Sequence, residues 1–379
     1  MKIVYLSTFY PFRGGIAQFN ALLYRVLEFK NSIIALTFTR QYPNLLFPGK
    51  TQMVNENDEA DKIPSKRILD SINPLTYFRA ANYVKKINPD LILSKYWMTF
   101  FAPSLGFVLK KNKKAVRISI LDNVIPHEKR FFDNPFNRFF INNNDGFIVM
   151  TEKVKNDLLF YNPKATYRLV PHPIYSHFGE KIDVKTARRQ LKLNENKKTL
   201  LFFGLIRDYK GLDLLIECLS KLDDEYQLII AGEVYGSFDK YEQLIEKHQL
   251  GNRIAMFNQY IPDNEVSVFF SACDVCILPY KSATQSGITG IATHFLTPII
   301  ATDVGGLKET ITDKKTGLII EKPEVQLLYE SIIEFYSNDY QSTMKKNIEK
   351  LKEELTWEKF SIQIMNLYEE LKAKKSMNH

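Results

Sequence analysis

Short apolar runs alternate along the chain with longer segments in which apolar residues recur at helical spacing. In the first half, the runs are KIVYLST (2–8), SIIALTF (32–38), DLILSKY (90–96), AVRISIL (115–121), GFIVMT (146–151) and YRLVP (167–171). In the second half, they are TLLFFGLI (199–206), QLIIAGE (227–233), RIAMF (253–257), DVCILPY (274–280), PIIATD (298–303) and TGLII (316–320). Continuous strand hydrophobicity is typical of parallel strands that helices cover on both faces. The pattern therefore predicts an α/β protein with two Rossmann-like, doubly wound domains.

The segment VPHPIYSHFGEK (170–181) has two prolines, a glycine and no clear period, which is typical of a linker. We therefore predict an N-terminal domain over 1–172 and a C-terminal domain over 173–356. The last helix, about 357–379, is amphipathic, which would allow it to pack back on the N-terminal domain. No apolar run is long enough to span a bilayer, and the first is too short for a signal peptide, so we expect a cytoplasmic protein.

Charge is distributed unevenly along a chain whose net charge is +8. Residues 1–172 contain 25 Lys and Arg and 13 Asp and Glu, a net charge of +12, whereas residues 173–379 carry −4. This asymmetry predicts that the first domain meets an anionic partner, with nucleic acid and an anionic membrane both open at this point. The three cysteines are few and lie in apolar segments, so we interpret them as core residues.

Several glycine-rich and cationic turns follow predicted strands. Gly14 and Gly15 open a helix after the first run, which is typical of a tight strand-to-helix turn and also provides helix amides that favour anions. In the second domain, Arg207 and Lys210 lie between Gly204 and Gly211, at the strand edge where doubly wound folds bind ligands. Two fixed cations at this edge are suited to a diphosphate. Neither a GxGxxG fingerprint after the first strand nor a Walker A motif is present, which argues against a dehydrogenase or a P-loop enzyme.

Taken in order, the segments GLIRDYKGLDLLIECL, IIAGEVYG, DVCILPYKSATQSG, TPIIATDVGGLKE and TGLII resemble the C-terminal domain of the family 4 retaining glycosyltransferases. RGGIAQF resembles the N-terminal Gly-Gly loop of that family, and the SATQSG segment is similar to one bacterial subgroup. The resemblance covers nearly the whole chain. It implies the GT-B architecture, in which the two domains face a cleft.

The resemblance also implies roles for individual residues. Arg207 and Lys210 match the pair that holds the donor diphosphate in place of a metal, so we expect no cofactor and no obligate metal. Gly14 and Gly15 match a loop that closes over the donor. The remaining expected donor-binding residues are Gly204, Glu233, Tyr260, Ile261, Gln285, Ser286, Gly287, Ile288, Thr289 and Glu309, with the amides of 286–289 directed at phosphate.

This sequence departs from the family pattern at two places. Most members carry Glu-x7-Glu across the segment 278–295, but here Gln285 and Thr293 have that separation, and Ala283 and Ile291 occupy the register counted back from Pro298. Many members also have a histidine soon after the strand that ends near 121. Asp122 stands at about that position and His127 follows, so both are expected to be catalytic, with a purely structural loop histidine as the alternative for His127.

The segments HEKRFFDNPFNRFF (127–140) and LKKNKKAVR (109–117) supply much of the first domain's charge. Cations with interleaved aromatic residues are suited to an anionic membrane surface, while core phenylalanines with solvated lysines are the alternative. The resemblance lowers the nucleic-acid option, and we expect no nucleic-acid partner.

The sequence therefore predicts a retaining glycosyltransferase. It would move a sugar from a UDP- or GDP-sugar to a saccharide acceptor, lipid-linked or soluble, in bacterial surface polysaccharide or glycoconjugate assembly. We expect it in the cytoplasm, with peripheral attachment to the inner face of the membrane as one option. Two alternatives stay open: a nucleotide-sugar 2-epimerase of the same architecture, and a catalytically silent binding subunit.

Overall fold

A computed structural model describes residues 1–42, 52–54, 60–125, 130–175, 178–283 and 286–377. The chain divides into two compact units. The first comprises residues 1–171 together with 357–379, and the second comprises residues 172–356. Each unit is built on one parallel sheet, as continuous apolar strands require.

The first unit contains seven strands within the described ranges, in the order β3-β2-β1-β4-β5-β6-β7. They are β1 (Lys2–Leu6), β2 (Ser32–Arg40), β3 (Ser65–Asp70), β4 (Leu91–Tyr96), β5 (Val116–Leu121), β6 (Gly146–Val149) and β7 (Tyr167–Leu169). All recorded pairs are parallel. The chain winds outward from β1 in one direction and then returns to β4 beside it. The boundary between β1 and β4 is therefore the topological switch point of this unit.

Helices cover both faces of this sheet. They are α1 (Gly15–Glu28), α2 (Pro74–Ile87), α3 (Ala102–Lys111), α4 (Asp133–Ile141), α5 (Glu152–Tyr161) and the last helix, α14 (Trp357–Met377). Helix α14 packs on α1, where the rings of Phe19 and Trp357 lie 4.9 Å apart, edge to face. Near its end, Lys375 forms an ion pair of 2.8 Å with Asp145. The C-terminal segment is thus part of the first unit.

The second unit contains six strands in its described part, in the order β10-β9-β8-β11-β12-β13. They are β8 (Lys198–Phe203), β9 (Tyr226–Ala231), β10 (Ile254–Phe257), β11 (Val275–Leu278), β12 (Ile299–Thr302) and β13 (Gly317–Ile320). Its helices are α6 (Val184–Gln190), α7 (Leu212–Lys221), α8 (Asp239–Lys247), α9 (Val266–Ala272), α10 (Gly287–His294), α11 (Leu307–Thr310), α12 (Val325–Ser337) and α13 (Tyr340–Glu354). The switch point of this sheet lies between β8 and β11.

Strand β8 illustrates why the apolar runs are continuous. Leu200 and Phe202 pack into the core on one face of the sheet, while Leu201 and Phe203 pack into the core on the other. Because successive side chains point to opposite faces, a strand covered on both sides has no exposed register to fill with polar residues. The three cysteines are buried and form no disulfide, as predicted.

The predicted fold class, two parallel-sheet α/β domains, is confirmed, and each of the twelve apolar runs contains a strand. The apolar pattern did not predict β3, which is one of the two edge strands of the first sheet. Lys66 and Arg67 are exposed there, and only the second half of the strand is buried. An edge strand needs little hydrophobicity, so its pattern resembles that of a loop.

A partly buried carboxylate joins four elements of the second unit. Asp274, just before β11, accepts hydrogen bonds from Arg188 Nη2 (3.0 Å) and the Thr199 amide (2.7 Å). It also accepts from the Tyr336 hydroxyl (3.2 Å) and Gln341 Nε2 (3.0 Å). One carboxylate thereby links α6, β8, α12 and α13.

We expect Asp274→Ala to lower the free energy of unfolding of the second unit by about 3–5 kcal/mol, because it leaves the buried Arg188 unpaired. Urea denaturation followed by circular dichroism measures the change in the free energy of unfolding. The matched control is Asp224→Ala, since Asp224 is 93% exposed and 3.6 Å from Arg253, and should change stability by less than about 0.5 kcal/mol. Equal stability of the two variants would contradict the role of Asp274.

Candidate functional site

The candidate site of the second unit lies at the carboxyl ends of β8 and β11. The segment after β8 runs through Arg207 into a 3-10 turn, Asp208–Lys210, and closes at Gly211. Gly211 has φ +70°, and a Cβ there would lie 2.0 Å from the Pro279 carbonyl oxygen. The Lys281 amide donates to the Tyr209 carbonyl at 2.7 Å. The cationic loop is thus docked directly on the segment that leaves β11.

Gly204 brings two further parts of the site together. Its φ is +100°, and a Cβ there would lie 3.1 Å from Ile288 Cδ1 and 3.4 Å from Lys210 Nζ. The end of β8, the ammonium of Lys210 and the first turn of α10 therefore share one small volume. A larger side chain at position 204 would occupy the space between Ile288 and the Lys210 ammonium.

Lys210 is a buried cation. It is only 9% exposed, and its Nζ lies 5.2 Å from the centroid of the Tyr280 ring. Burial lowers the pKa of Lys210 to about 8, and the neighbouring charge of Arg207 adds to the lowering. Within the described ranges, no carboxylate forms an ion pair with Lys210.

Arg207 is also held without a carboxylate. Its Cζ lies 4.0 Å from the centroid of the Tyr235 ring, and its Nε is buried with no hydrogen-bond partner among the residues that the structure describes. A guanidinium retains strong N–H donors that favour bidentate oxygen acceptors such as phosphate. Arg207 and Lys210 therefore form a cationic pair that no described carboxylate compensates.

The acids of the same loop are occupied by other lysines. Asp208 pairs with Lys240 and lies 3.9 Å from Lys281. Asp213 pairs with Lys281 at 2.6 Å. Lys240 and Lys281 lower the pKa of Asp208, chiefly through the hydrogen bond from Lys240. The ion pairs thus form beside the site and leave its two cations available.

The polar turn after β11 is ordered around Ser286. The Tyr280 hydroxyl and Ser286 Oγ are hydrogen bonded at 3.1 Å. Ser286 caps α10 by accepting from the Ile288 amide at 3.3 Å, and its carbonyl accepts from the Thr289 amide. Two of the amides expected to face phosphate therefore already have partners in the chain. Thr284 and Gln285 lie outside the described residues.

The residues at the positions that correspond to the Glu-x7-Glu acids have packing or hydrogen-bonding roles within the second unit. Ile291 and Thr293 are buried in α10, and Thr293 Oγ1 donates to the Thr289 carbonyl at 2.8 Å. Ala283 is half-buried and packs against the core. Neither Ile291 nor Thr293 presents an exposed polar group.

Other expected donor-binding residues lie on neighbouring loops of the carboxyl edge. Glu233 is exposed, and its carbonyl accepts from the Ile206 amide at 2.9 Å. Tyr260 is exposed, whereas Ile261 packs in the hydrophobic core. Glu309 and Gly287 are exposed at the starts of α11 and α10.

In the first unit, the expected residues follow β1 and β5. Gly14 and Gly15 are exposed at the start of α1, and Gly14 has φ +103°. Asp122 forms an ion pair of 2.6 Å with Lys95, which is fully buried and lies 3.3 Å from the centroid of the Phe19 ring. Burial lowers the pKa of Lys95, and Asp122 opposes that effect. His127 lies outside the described residues.

Three residues that contact the predicted site residues or their neighbours were not predicted from the sequence: Tyr235, Lys281 and Lys95. Tyr235 is the aromatic residue in GEVYGS, and Lys281 is the only basic residue in the turn YKSATQSG. Neither type is distinctive by itself, and only their three-dimensional contacts with Arg207 and Asp213 mark them. Lys95 offered a signal, since a lysine inside the apolar run DLILSKY has to find a buried partner.

Residues 183–353 match the family model described as "Glycosyl transferases group 1". The second unit is therefore similar to the group 1 glycosyl transferases over residues 183–353. This span includes all the residues of the cationic pair and the polar turn.

Three curated relatives are glycosyltransferases. An uncharacterized glycosyltransferase of Methanocaldococcus jannaschii is 25% identical over 98% of this chain and 99% of its own length. A D-inositol 3-phosphate glycosyltransferase of Corynebacterium aurimucosum is 25% identical over 60% of this chain and 57% of its own. A lipopolysaccharide core biosynthesis mannosyltransferase of Rhizobium meliloti is 26% identical over 45% and 52%.

Among solved structures, Anabaena HepE in complex with UDP resembles the chain with a TM-score of 0.72. It is 15% identical and covers 100% of both chains. At this identity, the likeness establishes the fold alone.

We expect Lys210→Met to raise the free energy of unfolding at pH 7 by roughly 2 kcal/mol, because it removes a charge whose burial is unfavourable. The folded-state pKa of Lys210 is about 8, below its ordinary value, so the penalty is present below pH 8. The advantage of the variant should shrink as pH rises from about 8 to 10.5. Urea denaturation at pH 7 and pH 10 measures both values, and a variant less stable at pH 7 would contradict the prediction.

Proposed function

We propose that the protein is a retaining glycosyltransferase that transfers a sugar from a UDP- or GDP-sugar to a saccharide acceptor. The observation that carries the proposal is the cationic pair of Arg207 and Lys210 at the β8–β11 switch point. The group 1 match and the three glycosyltransferase relatives support the same class of reaction. Binding of UDP by the structural relative HepE favours a nucleoside diphosphate as the leaving group.

The chemistry requires stabilisation of a growing negative charge. When the bond between the anomeric carbon and the diphosphate breaks, the sugar becomes oxocarbenium-like and the phosphate oxygens gain charge. Arg207 and Lys210 would stabilise those oxygens, and a low-polarity environment strengthens the effect. Binding of the phosphate would also favour the protonated form of Lys210.

In a retaining reaction of this kind, the acceptor attacks from the face that the diphosphate leaves, and the departing phosphate takes the acceptor proton. No carboxylate nucleophile is then required, which agrees with the absence of a Glu-x7-Glu pair across residues 278–295. Tyr280 and Ser286 supply hydroxyls near the donor. Glu233, Tyr260, Gln285 and Glu309 are proposed donor contacts, and Asp122 and His127 are proposed catalytic residues.

We expect the double variant Arg207→Ala/Lys210→Ala to lower transfer from a UDP- or GDP-sugar at least about 1000-fold, since each cation stabilises the leaving charge. A thermal-shift screen across nucleotide sugars first identifies the donor, because ligand binding raises the unfolding temperature. Product formation is then followed by mass spectrometry. The control is Lys198→Ala, at the opposite end of β8, where Lys198 pairs with Glu225. Near-normal transfer by the double variant would overturn the proposal.

The same assay separates the alternatives. A 2-epimerase would convert the nucleotide sugar without an acceptor. A silent binding subunit would give neither transfer nor hydrolysis of the donor.

We also propose that the acceptor is lipid-linked and that the first unit attaches to an anionic membrane. Helix α2 exposes Leu75 (77%) and Phe78 (52%) on the face that also carries Arg79, Lys85 and Lys86. Exposed apolar residues with cations are suited to a membrane interface. No helix in the described ranges is long and apolar enough to cross a bilayer.

A lysine-rich cavity continues this surface. It has a volume of about 280 Å³ and is lined by Lys85, Lys110, Lys111, Lys113 and Lys114, with no acidic side chain in its lining. The ring of Phe107 lies 4.6 Å from Phe78 and 5.6 Å from Lys111 Nζ, so the apolar and basic parts touch. The similarity to a lipopolysaccharide core mannosyltransferase supports an acceptor of this class.

We expect Leu75→Ser/Phe78→Ser to weaken binding to vesicles of phosphatidylglycerol and phosphatidylcholine at least about fivefold, because two inserting side chains are lost. Vesicle cosedimentation measures the affinity. Phe160→Ser is the matched control, since Phe160 is also exposed but lies on α5. If the protein ignores these vesicles and glycosylates only soluble acceptors, the membrane proposal fails and the transferase proposal stands.

A further inference from the structure

Tyr235 is the residue that holds Arg207. It lies in the loop between β9 and α8, and its side chain is 58% exposed. The Arg207 Cζ lies 4.0 Å from the centre of its ring. The loop is fixed to the residue before Arg207, because the Tyr235 amide donates to the Ile206 carbonyl at 3.1 Å and Val234 bridges Ile206. Both ends of the contact are therefore set by the backbone.

An aromatic partner differs from a carboxylate in its effect on the guanidinium. A carboxylate neutralises the charge and occupies two N–H donors. An aromatic face attracts the cation through its quadrupole, leaves the charge in place and does not occupy the in-plane donors. A guanidinium held in this way is still able to bind an anion.

The surrounding charges are arranged consistently with this role. Asp208 is adjacent to Arg207 in the chain, yet it pairs with Lys240 rather than with Arg207. The second cation of the site, Lys210, likewise lies over an aromatic ring, that of Tyr280. The buried Nε of Arg207 has no protein partner within the described part of the chain.

We propose that Tyr235 is a positioning residue that orients the Arg207 guanidinium for the donor diphosphate without neutralising it. The inference rests on the proposed function, because it assigns the anion to a nucleotide-sugar donor. It predicts that the ring face is required and the hydroxyl is not.

Isothermal titration calorimetry with UDP, GDP and inorganic pyrophosphate tests this assignment. We expect Tyr235→Ala to weaken binding of pyrophosphate and of the preferred nucleotide by about 3- to 20-fold, in keeping with the strength of a partly desolvated cation–π contact. Tyr235→Phe, the matched control, should stay within about twofold of the unmodified protein. In an Arg207→Ala background, Tyr235→Ala should cause no further loss, because its effect passes through Arg207.

Four outcomes would overturn the assignment. Affinity unchanged by Tyr235→Ala would show that Arg207 needs no support. An equal loss in the Arg207→Ala background, or a loss for the nucleotide but not for pyrophosphate, would show that Tyr235 contacts the ligand itself. An equal loss in Tyr235→Phe would assign the role to the hydroxyl.

An NMR measurement on the ligand-free protein separates this inference from the proposed function. Ring current should shift the Arg207 Nε–H resonance in the unmodified protein and in Tyr235→Phe, and the shift should disappear in Tyr235→Ala. If the unmodified protein binds none of the three probes while the shift is present, the proposed function fails and this assignment fails with it. If the probes bind and the shift is absent, only the assignment fails.

Discussion

The candidate site depends on the contact between the loop after β8 and the segment after β11. Gly211 lies so close to the Pro279 carbonyl that a side chain there would overlap it, and the Lys281 amide donates to Tyr209 across the same junction. Parallel strands that meet at a switch point leave a crevice at their carboxyl ends. Here the two segments are in direct contact in that crevice. The loop after β8 carries the cations, and the segment after β11 carries the hydroxyls. Their combined chemistry follows from this single junction.

The site keeps two positive charges close together in a largely buried place, which is unfavourable in the absence of an anion. The depressed pKa of Lys210 expresses that cost. The nearby acids could have relieved it, but Asp208 and Asp213 pair with Lys240 and Lys281 instead. Aromatic rings hold Arg207 and Lys210 in place without cancelling their charge. Such an arrangement sacrifices some stability of the free protein and favours binding of an anion.

Much of the fold could be predicted from the sequence, because a strand covered on both faces is mostly apolar. Twelve of the thirteen strands in the described ranges lie in such apolar runs, whereas β3, at one edge of the first sheet, does not. The cationic pair of the candidate site was also readable, since Arg207 and Lys210 are framed by Gly204 and Gly211. The contact between Tyr235 and Arg207 could not be predicted, because the two residues are 28 positions apart and the neighbours of Tyr235 in the sequence do not indicate a role in the site.

The sequence by itself determined the parallel α/β architecture, the place of the glycine-framed cations and the absence of the usual Glu-x7-Glu acids. These are local properties of hydrophobicity, residue type and spacing. The tertiary structure alone decided which charges compensate each other: it paired Asp208 with Lys240 and Lys95 with Asp122, and it placed Arg207 over Tyr235. Coulomb and cation–π interactions depend on distances and burial, which arise only when segments far apart in the chain come together.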